Sequence, residues 1–289
     1  MKRDVLHSPR LSELKKRRRR VVINKILLLV FCFALIFTLS TYLSRLPNLN
    51  IAEIQVVGNK VVDTDAIKKV AQEQIAGKYA WLFPKTNILF YPKNNIIHAL
   101  RKNFTRLQDI TLSVKQNKIL EITIIERVPK YTWCGAVTPE LNSNSNQKCY
   151  FMDDSGYIFD EAPFFSGQVY FKFYGFTDIP NQEPLSASFA KGIFSKLIGF
   201  KDVLIAMGLK PVAIYLTNTG DAEVFLASAP GSSSQPWIFV KANADFQSVA
   251  ENLQTALTTE PLQSKLKTKY SSLMYIDLRY GNKVFYKFQ

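Results

Sequence analysis

Few residues in this chain are suited to catalysis. Only two histidines and three cysteines occur among its 289 residues, whereas an enzyme site needs a nucleophile, a base or a metal held among converging polar groups. His98 follows Ile97 in a helical pattern and belongs to a different predicted domain from Cys134 and Cys149, which disfavours a thiol–imidazole pair. The sequence also carries no glycine-rich phosphate loop, no G-x-S-x-G elbow and no H-E-x-x-H helix.

Four acidic residues form the other candidate for chemistry: Asp153, Asp154, Asp160 and Glu161. Paired carboxylates can act in acid–base or metal chemistry. The run from Asp153 to Gly156 has the composition of a tight turn, however, and we favour that interpretation. The sequence therefore predicts a protein that is not an enzyme and that uses no cofactor, metal or small-molecule substrate.

The cysteines raise a structural question instead. Cys134 and Cys149 flank a polar run from Asn142 to Gln147, and a bond between them would close a loop of about fifteen residues, which stabilises by up to ~3 kcal/mol. The sequence leaves open whether they form a disulfide. Cys32 lies in an apolar run and is expected to behave as a small apolar residue.

The net charge of +14 is concentrated at the N-terminus. Residues 1–25 hold ten Lys or Arg against two acidic residues, so eight of the fourteen net charges lie there. Residues 26–44 follow with no charge at all, and as a helix they would be ~28 Å long, which matches a ~30 Å hydrocarbon core. We interpret residues 26–44 as an uncleaved transmembrane helix and residues 1–25 as a basic cytoplasmic tail. Membrane insertion accounts for the basic run, so no nucleic-acid partner is expected.

Beyond a connector at residues 45–50, the hydrophobic pattern predicts two α+β domains outside the cytoplasm. Residues 51–129 show the order strand, helix, helix, strand, strand. Residues 130–289 predict a mainly antiparallel domain that contains a long helix over residues 186–207 and a helix near residues 245–258. This domain ends in a β-hairpin of residues 273–280 and 283–288, joined by Gly281 and Asn282.

The last strand, residues 283–288, is a candidate sheet edge. An edge strand leaves a row of backbone N–H and C=O groups that another chain can complete. Lys283 and Lys287 give this strand some protection and leave room for a regulated partner. The alternative is that residues 283–288 form an interior strand, or an edge strand whose charged side chains prevent pairing.

Several segments of the chain, taken in order, resemble the FtsQ/DivIB family of bacterial division proteins. A basic tail and one membrane span precede a unit that begins at Ile54-Gln55-Val56-Val57-Gly58-Asn59 and closes at Ile125-Glu126-Arg127-Val128-Pro129. Asp154-Ser155-Gly156-Tyr157-Ile158-Phe159 and Tyr275-Ile276-Asp277-Leu278-Arg279-Tyr280 follow. The resemblance implies a POTRA domain (polypeptide-transport-associated) followed by a β domain, with Arg127 and Pro129 structural at their junction.

The resemblance also implies a function. It predicts a divisome scaffold in the cytoplasmic (inner) membrane at the division septum, with FtsB/DivIC-like and FtsL-like single-span partners that pair with the last strand of the β domain. The implied partner-binding residues are Tyr280, Lys283, Val284, Phe285, Tyr286, Lys287 and Phe288. The polar insertion before Cys149 and the segment from Ala162 to Phe165 depart from the family pattern. Two alternatives remain: a membrane-anchored POTRA protein that acts as a chaperone-like module in secretion or envelope transport, and an anchored hydrolase.

Overall fold

A computed structural model of the chain describes residues 9–138, 148–179, 183–230 and 235–289. The start of the basic tail and the polar run from Asn142 to Gln147 lie outside the described residues. The chain divides into two compact units, Met1–Glu126 and Arg127–Gln289, which are described separately.

The first unit begins with one long helix, α1, which spans Pro9–Ser44. The sequence predicted a helix only from Ile26, but the helix continues back through the basic run. The reason is local: Pro9 stands at the first helical position, and the residues from Arg10 to Ser44 include no further proline and no glycine. Its stretch Lys15–Ser44 is the one helix in the described part of the chain that is long and apolar enough to cross a membrane, by length and composition.

The rest of the first unit is a three-stranded sheet with two helices. Its elements are β1 (Glu53–Val57), α2 (Thr64–Ile75), β2 (Lys78–Tyr79), β3 (Phe83–Pro84), α3 (Lys93–Asn103), β4 (Leu107–Lys115) and β5 (Ile119–Glu126). The sheet order is β1-β5-β4, with β1 parallel and β4 antiparallel to β5. This is the predicted order of strand, helix, helix, strand, strand, with one unpredicted addition, the small β2–β3 hairpin.

Helices α2 and α3 and the three-stranded sheet share one hydrophobic core. Residues from α2, α3 and β5 are fully buried there: Ile67, Ala71, Ile96, Leu100, Leu120 and Ile122. At the end of β5, the Glu126 carboxylate accepts hydrogen bonds from the backbone N–H groups of Lys60, Val61 and Val62 at 2.8–3.1 Å. Burial acts to raise the pKa of Glu126, but these donors and the charge of Arg106 outweigh it, so the pKa is lowered.

The second unit is built on a nine-stranded mixed sheet. Its strands are β6 (Tyr131–Trp133), β7 (Cys149–Met152), β8 (Ile158–Ala162), β9 (Phe171–Gly175), β10 (Pro211–Leu216), β11 (Asp221–Leu226), β12 (Trp237–Lys241), β13 (Leu273–Tyr280) and β14 (Lys283–Phe288). Its helices are α4 (Phe194–Ala206), α5 (Phe246–Leu257) and α6 (Leu262–Lys269), the last followed by a 3₁₀ turn at Tyr270–Ser272.

The order of strands in this sheet is β14-β13-β12-β11-β10-β9-β6-β7-β8. Five of the eight strand pairings are antiparallel and three are parallel. The main core of the unit includes side chains from the strands and from α4 and α5, among them Phe173, Leu197, Phe200, Ile214, Leu253 and Ile276.

One helical prediction for this unit needs correction, and one helix was missed. The helix predicted over residues 186–207 begins only at Phe194, because Ala190 and Gly192 have positive φ values of 51° and 87° and interrupt any helix. Residues 186–189 pair with other segments instead. Helix α6 was not predicted at all.

Candidate partner-binding edge

The predicted partner strand lies at one end of the nine-stranded sheet. β14 pairs in antiparallel register with β13, so that Ile276 lies opposite Tyr286 and Tyr280 opposite Lys283. Among the described residues, no strand pairs with the other side of β14. The structure therefore brings Lys283–Phe288 together at a sheet edge and places Tyr280 at the start of the connecting turn.

The side chains of β14 alternate between two environments. Val284, Tyr286 and Phe288 are half-buried against the core of the unit, whereas Phe285 is 50% exposed. Lys283 and Lys287 are also exposed. The inner face is thus fixed by packing, and the outer face presents one aromatic ring between two lysines.

Aromatic contacts fix both faces of the strand. The Tyr286 and Phe288 rings meet edge to face at a centroid distance of 5.9 Å, and Lys265 Nζ lies 5.7 Å and 5.8 Å from their centroids. On the other face, the Tyr280 and Phe285 rings are 5.4 Å apart. Such contacts add to packing and leave the strand well defined.

The direction of the backbone groups follows from one hydrogen bond. The Gln289 N–H donates to the carbonyl oxygen of Ser272 at 2.8 Å, so Gln289 faces β13. Consecutive residues of an antiparallel strand direct their N–H and C=O groups to opposite sides. Counting back along β14, the backbone groups of Val284, Tyr286 and Phe288 face away from β13.

A charge cluster beside this edge was not recognised in the sequence. Arg279 donates to both carboxylate oxygens of Asp277 at 2.9 Å and 2.7 Å and to Asp221 Oδ2 at 2.8 Å, and its guanidinium lies 5.0 Å from the Phe239 ring centroid. Burial acts to raise the pKa of Asp277, but the hydrogen bonds and charge of Arg279 outweigh it and lower the pKa. The i, i+2 spacing of Asp277 and Arg279 was the signal available, because such residues share one face of a strand.

The acidic residues considered for chemistry lie elsewhere in this unit. Asp153 is buried, accepts hydrogen bonds from the Ser155 N–H at 2.8 Å and from the Tyr157 N–H at 3.1 Å, and pairs with Arg127. The Arg127 guanidinium also lies 4.0 Å from the Tyr157 ring centroid. These contacts build a turn between β7 and β8. Within the described residues, no group of three or more His, Cys, Asp or Glu side chains could hold a metal ion.

The two cysteines that the sequence left unassigned are bonded in the structure. Cys134 and Cys149 form a disulfide with a Cα–Cα distance of 4.1 Å, and Cys134 is buried. The bond joins the end of β6 to the start of β7. Cys32 in α1 is free.

No family model matches the chain, and no curated protein matches it. A functional proposal therefore rests on the geometry of β14 and on the sequence resemblance described above.

Proposed function

We propose that this chain is a non-enzymatic scaffold of the bacterial cell-division machinery that captures single-span membrane partners by β-strand addition at β14. The observation that carries the proposal is the position of β14 at the end of the nine-stranded sheet, paired with β13 alone within the described residues. The assignment to division comes from the resemblance of the sequence to the FtsQ/DivIB family.

Strand addition at β14 would use main-chain and side-chain groups differently. A partner strand would complete the outward N–H and C=O groups of Val284, Tyr286 and Phe288, which supplies affinity irrespective of side chain. Phe285 would offer an apolar contact, and Lys283 and Lys287 would favour acidic side chains on the partner. FtsB/DivIC-like and FtsL-like proteins are the partners that the resemblance predicts.

Helix α1 would anchor this scaffold in the cytoplasmic membrane. Its length and apolar composition support a single span. The basic residues before the span would hold the N-terminus in the cytoplasm by the positive-inside rule, and the sheet domains would then face outward. Placement at the septum is part of the same proposal.

The test compares two substitutions at Val284 in the full-length membrane protein. Val284→Pro removes an outward N–H, whereas Val284→Thr keeps that N–H and a similar shape. We expect co-purification of an FtsB-like or FtsL-like partner to fall at least tenfold with Val284→Pro and to remain near the wild-type level with Val284→Thr. Equal capture by the two variants would overturn strand addition at β14.

Depletion of the protein tests the cellular role separately. Filamentous cells and a midcell position of a fluorescent fusion are expected if the chain acts in division. Normal cell shape together with a defect in protein export would instead support the chaperone-like role in envelope transport.

A further inference from the structure

The β2–β3 hairpin of the first unit has no part in the proposed function and carries an unusual exposed aromatic residue. Trp81 sits at the tip of the hairpin and is 91% exposed. Ala80 and Trp81 both have positive φ values, 45° and 60°, which are unfavourable for residues with a side chain. Leu89 and Phe90, shortly after the hairpin, are 72% and 56% exposed. The segment from Trp81 to Phe90 therefore exposes three large apolar side chains.

The hairpin lies against the apolar part of α1. The Phe83 ring meets the Phe37 ring edge to face at a centroid distance of 6.0 Å, and Arg45 Nε donates to the Leu82 carbonyl oxygen at 3.3 Å. Phe37 precedes Ser44 by seven residues, which corresponds to ~10 Å along a helix axis. The hairpin therefore lies beside the last turns of the helix, with the Leu82 backbone at Arg45 and the Phe83 ring at Phe37.

Hydrogen bonds also join the end of α1 to the segment that follows the hairpin. Asn87 is 1% exposed, and its side-chain amide donates to the Ser44 carbonyl oxygen at 3.0 Å. The Asn50 amide donates to the same oxygen at 3.0 Å and to the Leu46 carbonyl at 2.8 Å, and Thr86 donates to Asn50 Oδ1 at 2.8 Å. The end of α1 is thereby joined rigidly to the segment that follows the hairpin, and the connector does not act as a free linker.

We propose that the β2–β3 hairpin is an interfacial anchor that inserts Trp81 between the headgroups and upper acyl chains of the membrane. This inference rests on the proposed membrane span of α1. The Leu82 backbone lies at Arg45, just beyond the uncharged run, and the end of a span meets the boundary between headgroups and acyl chains, where tryptophan and tyrosine are enriched and amphipathic segments bind.

The polar groups of the hairpin suit that environment. Its turn is internally hydrogen-bonded: the Leu82 N–H donates to Tyr79 at 3.0 Å, and the Lys85 N–H donates to Gly77 at 3.1 Å. Paired backbone groups lower the cost of entering lipid. Lys78 and Lys85 lie at the open end of the hairpin, opposite Trp81, where their ammonium groups can bind anionic lipid phosphates.

Tryptophan quenching by brominated lipids tests the anchor. The full-length protein is reconstituted in vesicles of three parts phosphatidylcholine to one part phosphatidylglycerol, with bromine near the top of the acyl chains. We compare the wild type with Trp81→Phe and with Trp237→Phe, so that each variant retains two of the three tryptophans. A quenched, blue-shifted component is expected in the wild type and in Trp237→Phe and should be lost in Trp81→Phe. Equal quenching in all three proteins would overturn the anchor.

Extraction at alkaline pH separates this inference from the proposed function. If the protein stays in the membrane pellet while Trp81 is not quenched, the anchor is wrong and the span stands. If alkaline extraction releases the protein, the span and the anchor both fail. Neither result affects the comparison of Val284→Pro with Val284→Thr, because that comparison measures only partner capture by strand addition.

Discussion

The two ends of the nine-stranded sheet solve the problem of an edge strand in opposite ways. At β8, the chain covers the start of its own edge: the Ile158 N–H donates to the Ala187 carbonyl oxygen and the Ser186 N–H donates to the Ile158 carbonyl oxygen, both at 2.9 Å. At β14, no described segment covers the edge, and the exposed side chains of Lys283 and Lys287 are its protection against pairing. Charged side chains discourage random pairing but leave the backbone groups accessible. The same sheet thus has one edge whose start its own chain covers and one edge, β14, that the described chain leaves open.

The covered edge depends on residues in uncommon backbone conformations. Gly156 has a φ of +84° and accepts a hydrogen bond from the Phe189 N–H at 2.9 Å. Ser186 and Ala190, at either end of the covering segment, also have positive φ values of 73° and 51°. Self-coverage therefore requires local geometry that few residues adopt without strain, whereas β14 needs only regular strand geometry.

The largest effect is expected from Gly156→Ala, which breaks the covered edge. The added Cβ would lie 2.9 Å from the Phe189 carbonyl oxygen and 2.9 Å from Phe194 Cγ, in a left-handed conformation. We expect the free energy of unfolding of the second unit to fall by roughly 3–4 kcal/mol. Urea unfolding of the full chain in detergent micelles measures this loss, in a Trp81→Phe background where Trp133 and Trp237 report on the second unit.

Gly167→Ala is the matched control for that substitution. Gly167 also has a positive φ, 95°, but a Cβ there would meet nothing within 4 Å. Gly167→Ala should therefore lower the free energy of unfolding only by the cost of the left-handed backbone conformation, about 1 kcal/mol. Equal losses at both glycines would show that backbone strain, and not the close packing of the covering segment, limits the substitution.

The disulfide is expected to have the next largest effect. The bond between Cys134 and Cys149 closes a loop of fifteen residues near the covered end of the sheet. Replacing both cysteines by serine should lower the free energy of unfolding of the second unit by about 2–3 kcal/mol. Cys32→Ser, in α1, is the control and should leave that unit unchanged in the same urea assay. If the double variant is as stable as the wild type, the disulfide does not contribute to the free energy of unfolding of the second unit.

The smallest effect is expected at the open end, from Asp277→Asn. A carboxylate whose pKa is lowered by folding stabilises above its unfolded pKa of about 3.9, and that contribution is lost as the pH falls through the folded value. Asp277→Asn should therefore cost on the order of 1 kcal/mol at pH 7 and progressively less below pH 4. Urea unfolding at pH 7 and pH 3 measures the difference. Exposed Asp154→Asn is the control, and a pH-independent cost at Asp277 would rule out the ionic contribution.

The same two ends show why part of the fold was readable from the sequence. The β13–β14 hairpin was predicted with its observed bounds because Gly281 and Asn282 interrupt two alternating runs, and such a signal is local. The covering segment was mistaken for the start of a helix. Phe189 fitted the apolar period of that helix and is indeed fully buried, but its backbone pairs with distant residues that no local pattern reveals.

The candidate site was predictable to the same extent. The sequence indicated the bounds of β14 and its candidacy as an edge strand, and the structure places it at the end of the sheet. Two features required the fold: the neighbours of β14 in the sheet, and the pairing of Arg279 with Asp221, 58 residues away along the chain. Likewise, the aromatic residues from Tyr79 to Phe83 gave no sign that they would lie beside α1.

The hydrogen bonds that Asn50 and Asn87 donate to Ser44 have a mechanical consequence. A spanning helix longer than the local bilayer thickness accommodates the mismatch by tilting. Because the end of α1 is clamped to the body of the first unit, any such tilt would be transmitted to the three-stranded sheet as a leaning motion. If α1 spans a membrane as proposed, a change in its tilt would then change the inclination of that sheet.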